Sequence, residues 1–307
     1  MIETQNLTKI FQKKPAVDHI SCRIPRGSIY GMVGSNGAGK STFLRLITGI
    51  YRPEAGNVLI DGQPVFDNPS VKSRMVFVPD DLYFLPGAHM ERMARCYSAI
   101  YPSFDHRYFL QLAKSFRLDT KSPLRNFSKG MRRQAAIILA LSCHPDYYFF
   151  DETFDGLDPV MRSLVKGLIC QEVSERQAAA IITSHSLREL EDTCDQLALL
   201  HEGGLLLQSE VQNLKTSLFK VQIAFNRPFD QHDFSGLPLM NYEQTGSVAQ
   251  LIIRGEKDET LGRLRVMNPV LLDLVPLSLE EVFTYEMKQL GYSFEDVLGR
   301  GGEEVSA

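Results

Sequence analysis

The sequence predicts an α/β fold: a parallel sheet flanked by helices, with an inserted helical subdomain and a small C-terminal α+β accessory domain. Three observations lead there. Short uninterrupted apolar runs, among them Tyr147 to Phe150 and Ala179 to Thr183, read as strands covered on both faces, the pattern of a parallel sheet. Helical periodicity follows one such run, with Phe43, Leu46, Ile47 and Ile50 recurring after Ser28 to Val33. Past Leu214 the period becomes two, as Phe219, Val221, Ile223 and Phe225 alternate with Lys220, Gln222 and Ala224.

Each element follows in order. Ser28 to Val33 is a strand ending in a glycine-rich turn, and the helix begins near Thr42. Helical patterns then dominate from about Asp81 to Leu141 (Met90 to Ile100, Tyr108 to Phe116, Met131 to Leu141), which marks the inserted subdomain. Tyr147 to Phe150 is a strand stopped by two acids, and Ala179 to Thr183 another, stopped by Ser184 and His185. Ser186 and Glu189 have the spacing of a capping box, which puts His185 at a strand-to-helix corner, where open α/β sheets carry chemistry. Val248 to Ile253 and Val270 to Val275 read as strands, and Ser278 with Glu281 opens a last helix through a second capping box. The expected domains are 1–214 and 215–292, with a Gly-rich acidic tail over 293–307 expected to be disordered.

Composition narrows the function. The 307 residues, 44% hydrophobic, suffice for one large domain and a smaller one. A formal net charge of -4 provides no global basic field for nucleic acid or anionic lipid. The longest strongly apolar stretch, Ala135 to Leu141, is far below the ~20 residues of a spanning helix, so the chain is not expected to cross a membrane. Polar Glu3, Thr4, Gln5 and Asn6 argue against a secretory signal, which makes the cytosol the expected compartment. The five cysteines, Cys22, Cys96, Cys143, Cys170 and Cys194, lack metal-ligand spacing and read as free thiols.

The run Gly34, Ser35, Asn36, Gly37, Ala38, Gly39, Lys40, Ser41, Thr42 satisfies the phosphate-binding loop (P-loop, Walker A) pattern between a strand and a helix. Its glycines let backbone N–H groups turn around a polyphosphate, the helix amino terminus adds partial positive charge, and Lys40 adds a full one. Ser41 offers its hydroxyl to Mg²⁺. A hydrolytic Mg-nucleotide site also needs a carboxylate for the metal and a group that orients water. Asp151 and Glu152 stand at a strand's carboxyl end for those roles, Asp151 acting on Mg²⁺ through water. Alone, an apolar strand ending in two acids is merely a strand meeting solvent; beside the Lys40 loop it becomes a site.

Over about Met1 to Leu214 this order of elements resembles the nucleotide-binding domain of ABC transporters. The discriminating piece is Phe127, Ser128, Lys129, Gly130, Met131, Arg132, Arg133 and Gln134, which is similar to that family's signature motif in a variant seen in two-component exporters. Ser128 is a helix N-cap candidate, and Gly130 permits close backbone approach. The resemblance implies that this helix end reaches the γ-phosphate held by a second, identical or related ATPase subunit, so that two such domains sandwich two ATP molecules. It also implies a D-loop at Gly156, Leu157, Asp158 and Pro159, a switch histidine at His185 that holds the water and Glu152 in line, and an adenine-stacking aromatic at Phe11, where a core phenylalanine is the alternative. Thr153 stands where the family usually has proline, and Asp80 where it generally has glutamine; Asp80 is an added candidate for Mg²⁺ or water. Tyr83, Phe84 and Leu85 lie where the family receives a helix from its membrane partner, and are either that socket or core.

The function implied is ATP hydrolysis that drives a separate transmembrane permease, in the export direction, from the cytoplasmic face, with ATP and Mg²⁺ bound and no nucleic acid. Two rivals remain at this point: an ABC ATPase acting on a non-membrane partner, and an ATP-gated regulatory module.

Overall fold

Residues 1–292 are described by the structure, a computed structural model, and the tail expected at 293–307 lies outside them. The described chain divides into two compact units between Gln208 and Ser209.

In the first unit, β1 (Ile2–Phe11) and β2 (Lys14–Ile24) precede β3 (Ile29–Val33), which leads into α1 (Lys40–Ile47). β4 (Ala55–Ile60), β5 (Gln63–Pro64), α2 (Pro69–Lys72) and β6 (Met75–Val78) follow. The helical insertion is α3 (Met90–Ile100), α4 (His106–Ser115) and α5 (Lys129–Leu141). The chain returns through β7 (Tyr147–Phe150), α6 (Pro159–Arg176), β8 (Ala179–Ser184), α7 (Leu187–Leu190), β9 (Gln196–His201) and β10 (Gly204–Glu210).

A six-stranded sheet runs β10-β9-β3-β8-β7-β6, with β9, β3, β8, β7 and β6 paired in parallel. Every residue of β3, β7 and β8 is buried, the condition their continuous apolarity implies. Side chains alternate between the faces. Tyr147 and Phe149 join Tyr30, Met32, Ile181 and Leu200 in the cluster that also holds Phe43 and Leu46 of α1, while Tyr148 and Phe150 stack on the other face with centroids 5.8 Å apart. Phe149 is wholly buried, and Phe149→Ala is expected to destabilise the fold by about 3–5 kcal/mol. A lowered denaturant midpoint at unchanged slope is the check.

The same cluster takes in Ile2, Leu7, Val17, Ile20 and Ile60 from a four-stranded antiparallel sheet, β2-β1-β4-β5, which the periodicity did not announce. The β1–β2 register shifts three times, and Asn6 (φ 47°) and His19 (φ 51°) are left-handed, so the alternation that identifies a strand is broken in both. The expected box at Ser186 does not form either. The Ser186 side chain makes no capping bond, and the reciprocal half is missing too: the Ser186 N–H donates to Ser184 Oγ (3.0 Å), while the Glu189 carboxylate accepts from Ser184 Oγ at 2.6 Å and pairs with Arg162 at 3.0 Å.

The second unit begins with α8 (Val211–Ser217) and holds β11 (Leu218–Ala224), β12 (Leu239–Thr245), β13 (Val248–Arg254), α9 (Lys257–Val266), β14 (Leu271–Val275) and α10 (Leu279–Gln289). Its antiparallel sheet is ordered β12-β13-β11-β14. Val221, Ile223, Leu251 and Ile253 face a core with Phe234 and Leu264. Lys220 and Arg254 are tied to α10 through Glu281 (2.8 Å) and Glu286 (2.7 Å). The capping box at Ser278 and Glu281 is fully formed. No helix among the described residues is long and apolar enough to cross a membrane.

Candidate active site

The carboxyl ends of β3, β7 and β8 lie side by side, and the sequence-predicted chemistry converges there. Residues 34–39 turn from β3 into α1. Glycine is required at two points of this turn: a Cβ on Gly34 would sit 2.4 Å from the Leu200 carbonyl, and Gly39 (φ +105°) would put one 2.3 Å from that of Ala16. Lys40, the first residue of α1, is buried; its Nζ donates to the carbonyls of Gly34 (2.6 Å) and Ser35 (3.2 Å) and pairs with Glu152 Oε1 at 3.1 Å.

Asp151 is wholly buried at the end of β7. Its Oδ1 accepts from Ser41 Oγ (2.9 Å) and Thr183 Oγ1 (2.8 Å), while its Oδ2 is buried with no protein partner. Burial pushes this carboxyl above the ordinary carboxylate range, and the two hydroxyl donors oppose the shift. A hydroxyl and a buried oxygen with spare lone pairs are the oxygen donor set that suits Mg²⁺. Glu152 is left-handed (φ 45°) and fixed at three points: its N–H donates to Thr183 Oγ1 (3.0 Å), Oε1 faces Lys40, and Oε2 meets His185 Nδ1 at 3.1 Å. The His185 side chain is half exposed. Lys40, Ser41, Asp151, Glu152 and His185 thus form one bonded network.

The remaining candidates lie outside that network. Ser128 caps α5, accepting from Met131 N–H at 3.2 Å. Gly130 packs against the turn after β7, where a Cβ would be 2.8 Å from the Gly156 carbonyl, and the Lys129 stem runs beside Gly156. Asp158 caps α6, accepting from Val160 and Met161 at 3.0 Å each. Phe11 is no core residue: it is 43% exposed and meets Tyr51 edge-on at 5.7 Å. Tyr83 is 76% exposed, which also removes it from the core. Asp80, the added candidate for Mg²⁺ or water, accepts from Arg133 Nη2 at 2.7 Å.

An ABC transporter family model matches residues 17–155. The chain is also 30% identical over 284 residues to the ABC transporter ATP-binding protein YtrB of Bacillus subtilis, covering 92% of this chain and 97% of that one. The chain belongs to the ABC transporter ATP-binding proteins. A second relative, the bacitracin transport ATP-binding protein BcrA of Bacillus licheniformis, is 27% identical over 95% of this chain and 97% of its own. The fold recurs in the dimeric post-hydrolysis state of an ATP-binding cassette bound to ADP and Pi, at a TM-score of 0.63 and 19% identity, covering 69% of this chain and 99% of that one.

As an ABC ATP-binding protein the chain is an ATPase, and its structure adds two residues that sequence reasoning missed. Thr183 bonds both Asp151 and Glu152; its only signal was its place at a buried strand end. Asp155 stands with Glu152 and His185, their polar atoms all within 4.8 Å of one another. Burial raises the Asp155 carboxyl, His185 opposes that, and the charges of Glu152, Glu189 and Asp80 add to it. The acid four residues after Asp151 was a readable signal, but the turn that brings it back was not.

Proposed function

We propose that this ATPase closes as a sandwich dimer around two ATP molecules and drives a separate membrane permease, in the export direction, from the cytoplasmic face of the membrane. The observation that carries the reading is the convergence of Lys40, Glu152 and His185 on one point at the carboxyl ends of β3, β7 and β8. In this reading the Gly34 to Thr42 loop and Lys40 hold the phosphates, and Ser41 and Asp151 hold Mg²⁺, Asp151 through water. The metal, when bound, neutralises charge on the phosphates. Glu152 takes the proton of the attacking water and His185 keeps the two in line. Ser128, Lys129, Gly130 and Met131 at the start of α5 meet the nucleotide of the opposite subunit, and Asp158 lies along the seam.

The second subunit is identical or closely related. The permease seats on the helical subdomain near Tyr83, and the accessory domain, 215–292, steadies or regulates the dimer. BcrA carries bacitracin transport in its name, which supports a role in transport. The test uses Glu152→Gln with ATP and Mg²⁺ and reads mass by light scattering. A shift from monomer to dimer supports the sandwich; a monomer that binds ATP, and dimerises with no candidate partner subunit, overturns it.

Phe11 closes the nucleotide site in this reading by stacking on adenine. Phe11→Ala is then expected to weaken ATP binding about tenfold, the loss of one base–aromatic stack. Calorimetric titration checks it, and an unchanged affinity reduces the ring to a neighbour of Tyr51.

A further inference from the structure

Arg133 is among the largest fully buried side chains of the protein, at 1% exposure. It projects from α5, on the turns just after Ser128. Its Nη2 donates to Asp80 Oδ1 at 2.7 Å and its Nη1 to the Pro79 carbonyl at 3.0 Å, while its Nε is buried with no partner. A guanidinium keeps its charge at any accessible pH, so a buried one requires a counter-charge, and Asp80 is the acid within reach. A glutamine at this position could accept one hydrogen bond but could not neutralise Arg133. The acid at 80 and the arginine at 133 therefore belong together.

Both ends of this pair are anchored at points the reaction uses. Asp80 lies two residues past β6, whose last residue Val78 pairs with Phe150 and accepts from the Asp151 N–H at 2.9 Å. Pro79 and Asp80 thus continue the strand that is bonded to Asp151. Arg133, bonded to both, belongs to α5, which Ser128 caps. Between the loop and the helix lies a cleft of about 230 Å³ lined by Asp80, Asp81, Leu82, Lys129, Arg132 and Arg133, and the Asp80–Arg133 ion pair bridges the two pieces beside it.

We infer that Asp80 and Arg133 are positioning residues: their ion pair is a strut that sets the start of α5, with Ser128 to Met131, relative to the hydrolytic end of β7. The inference rests on the reading of Ser128 to Met131 as the contact to the opposite subunit's nucleotide. It removes Asp80 from the metal.

The test compares Asp80→Asn, Asp80→Glu and the double variant Asp80→Asn with Arg133→Met in the full-length chain. Steady-state hydrolysis is measured against both ATP and Mg²⁺. For Asp80→Asn the strut predicts kcat down about tenfold, with KM and the half-saturating Mg²⁺ within about twofold of wild type. Asp80→Glu recovers most of the rate. The double variant stays slow, because removing the buried charge restores packing and not the connection. A double variant as fast as wild type makes the pair mere charge compensation and overturns the strut. So does an Mg²⁺ requirement raised about fivefold or more in Asp80→Asn, which returns Asp80 to the metal.

If Asp80→Asn does not fold, Arg133→Lys replaces it: the charge remains, the two-point fork is lost, and the same kcat-only fall is expected. Failure of the underlying reading is separable. In the Glu152→Gln background, Ser128→Glu that still dimerises with ATP sinks the role of Ser128, whereas Ser128→Glu that fails to dimerise beside an Asp80→Asn that keeps wild-type kcat sinks the strut alone.

Discussion

Glu152→Gln is expected to lower steady-state ATP hydrolysis by about a thousandfold while ATP binding persists. The side chain is already positioned for a base: its backbone N–H is tied to Thr183, and its two oxygens face Lys40 and His185 at 3.1 Å each. Glutamine is isosteric, so this placement survives. What disappears is the negative charge and the ability to take a proton from water. Phosphate release gives the rate, and retention of nucleotide on the purified variant gives the binding. A variant that loses both would show that the Lys40 to Glu152 pair holds the phosphate loop together, and the base assignment would then fail. A residual rate within tenfold of wild type, with binding intact, would transfer the role of base to another group, and Asp155 stands nearest.

How much of this was readable before the fold was known depended on whether the physics is local. Gly34 to Ser41 was legible because a turn that cradles phosphate must place its glycines, lysine and hydroxyl on consecutive residues. Asp151 and Glu152 were legible because a buried strand announces where it ends. The place of His185 at a strand end and the alternating strand at Phe219 to Phe225 followed the same logic, while the role of His185 came from the family resemblance. By contrast, Thr183 and Asp155 depend on which strand ends and turns come together, and Asp80 with Arg133 depends on a helix packing against a loop far away in sequence. The β1–β2 pair was hidden by its own irregularity, since left-handed residues at Asn6 and His19 interrupt the period that betrays a strand. The second unit shows the same contrast on a smaller scale. β11, β13 and β14 keep their pattern, whereas α9, held through Thr260, Leu261 and Leu264, buries too narrow a face to be seen as a helix. The false capping box at Ser186 is the converse: the spacing was right, but Ser184 and Arg162 attract the Glu189 carboxylate more strongly than a backbone N–H does.

Asp151→Asn separates what this residue does for the reaction from what it costs the fold. Hydrolysis in Mg²⁺ is expected to fall about a hundredfold or more, because the charged oxygen offered to the metal is gone. Stability without nucleotide or metal is expected to move the other way, rising by about 1 kcal/mol, since the carboxylate's Oδ2 is buried with no partner and a neutral amide is cheaper to leave there. The sign of the pH dependence follows from the same burial. Desolvation raises the folded-state pKa of Asp151 above its unfolded value, with Thr183 and Ser41 opposing, so the folded protein holds this proton more tightly than the unfolded chain. The stability it contributes is fully present below the unfolded pKa and is lost as pH rises through the folded one. At neutral pH the variant should therefore melt above wild type, and the gap should close as the pH falls through the window just above the ordinary carboxylate value. Thermal melts of both proteins over that range check it. A variant that melts lower at neutral pH would mean that the two hydroxyl donors, Ser41 and Thr183, need a full charge at Oδ1 to hold β7 and β8 to the phosphate loop. Asp151 would then be a structural anion first, and its service to the metal would be secondary to its service to the fold.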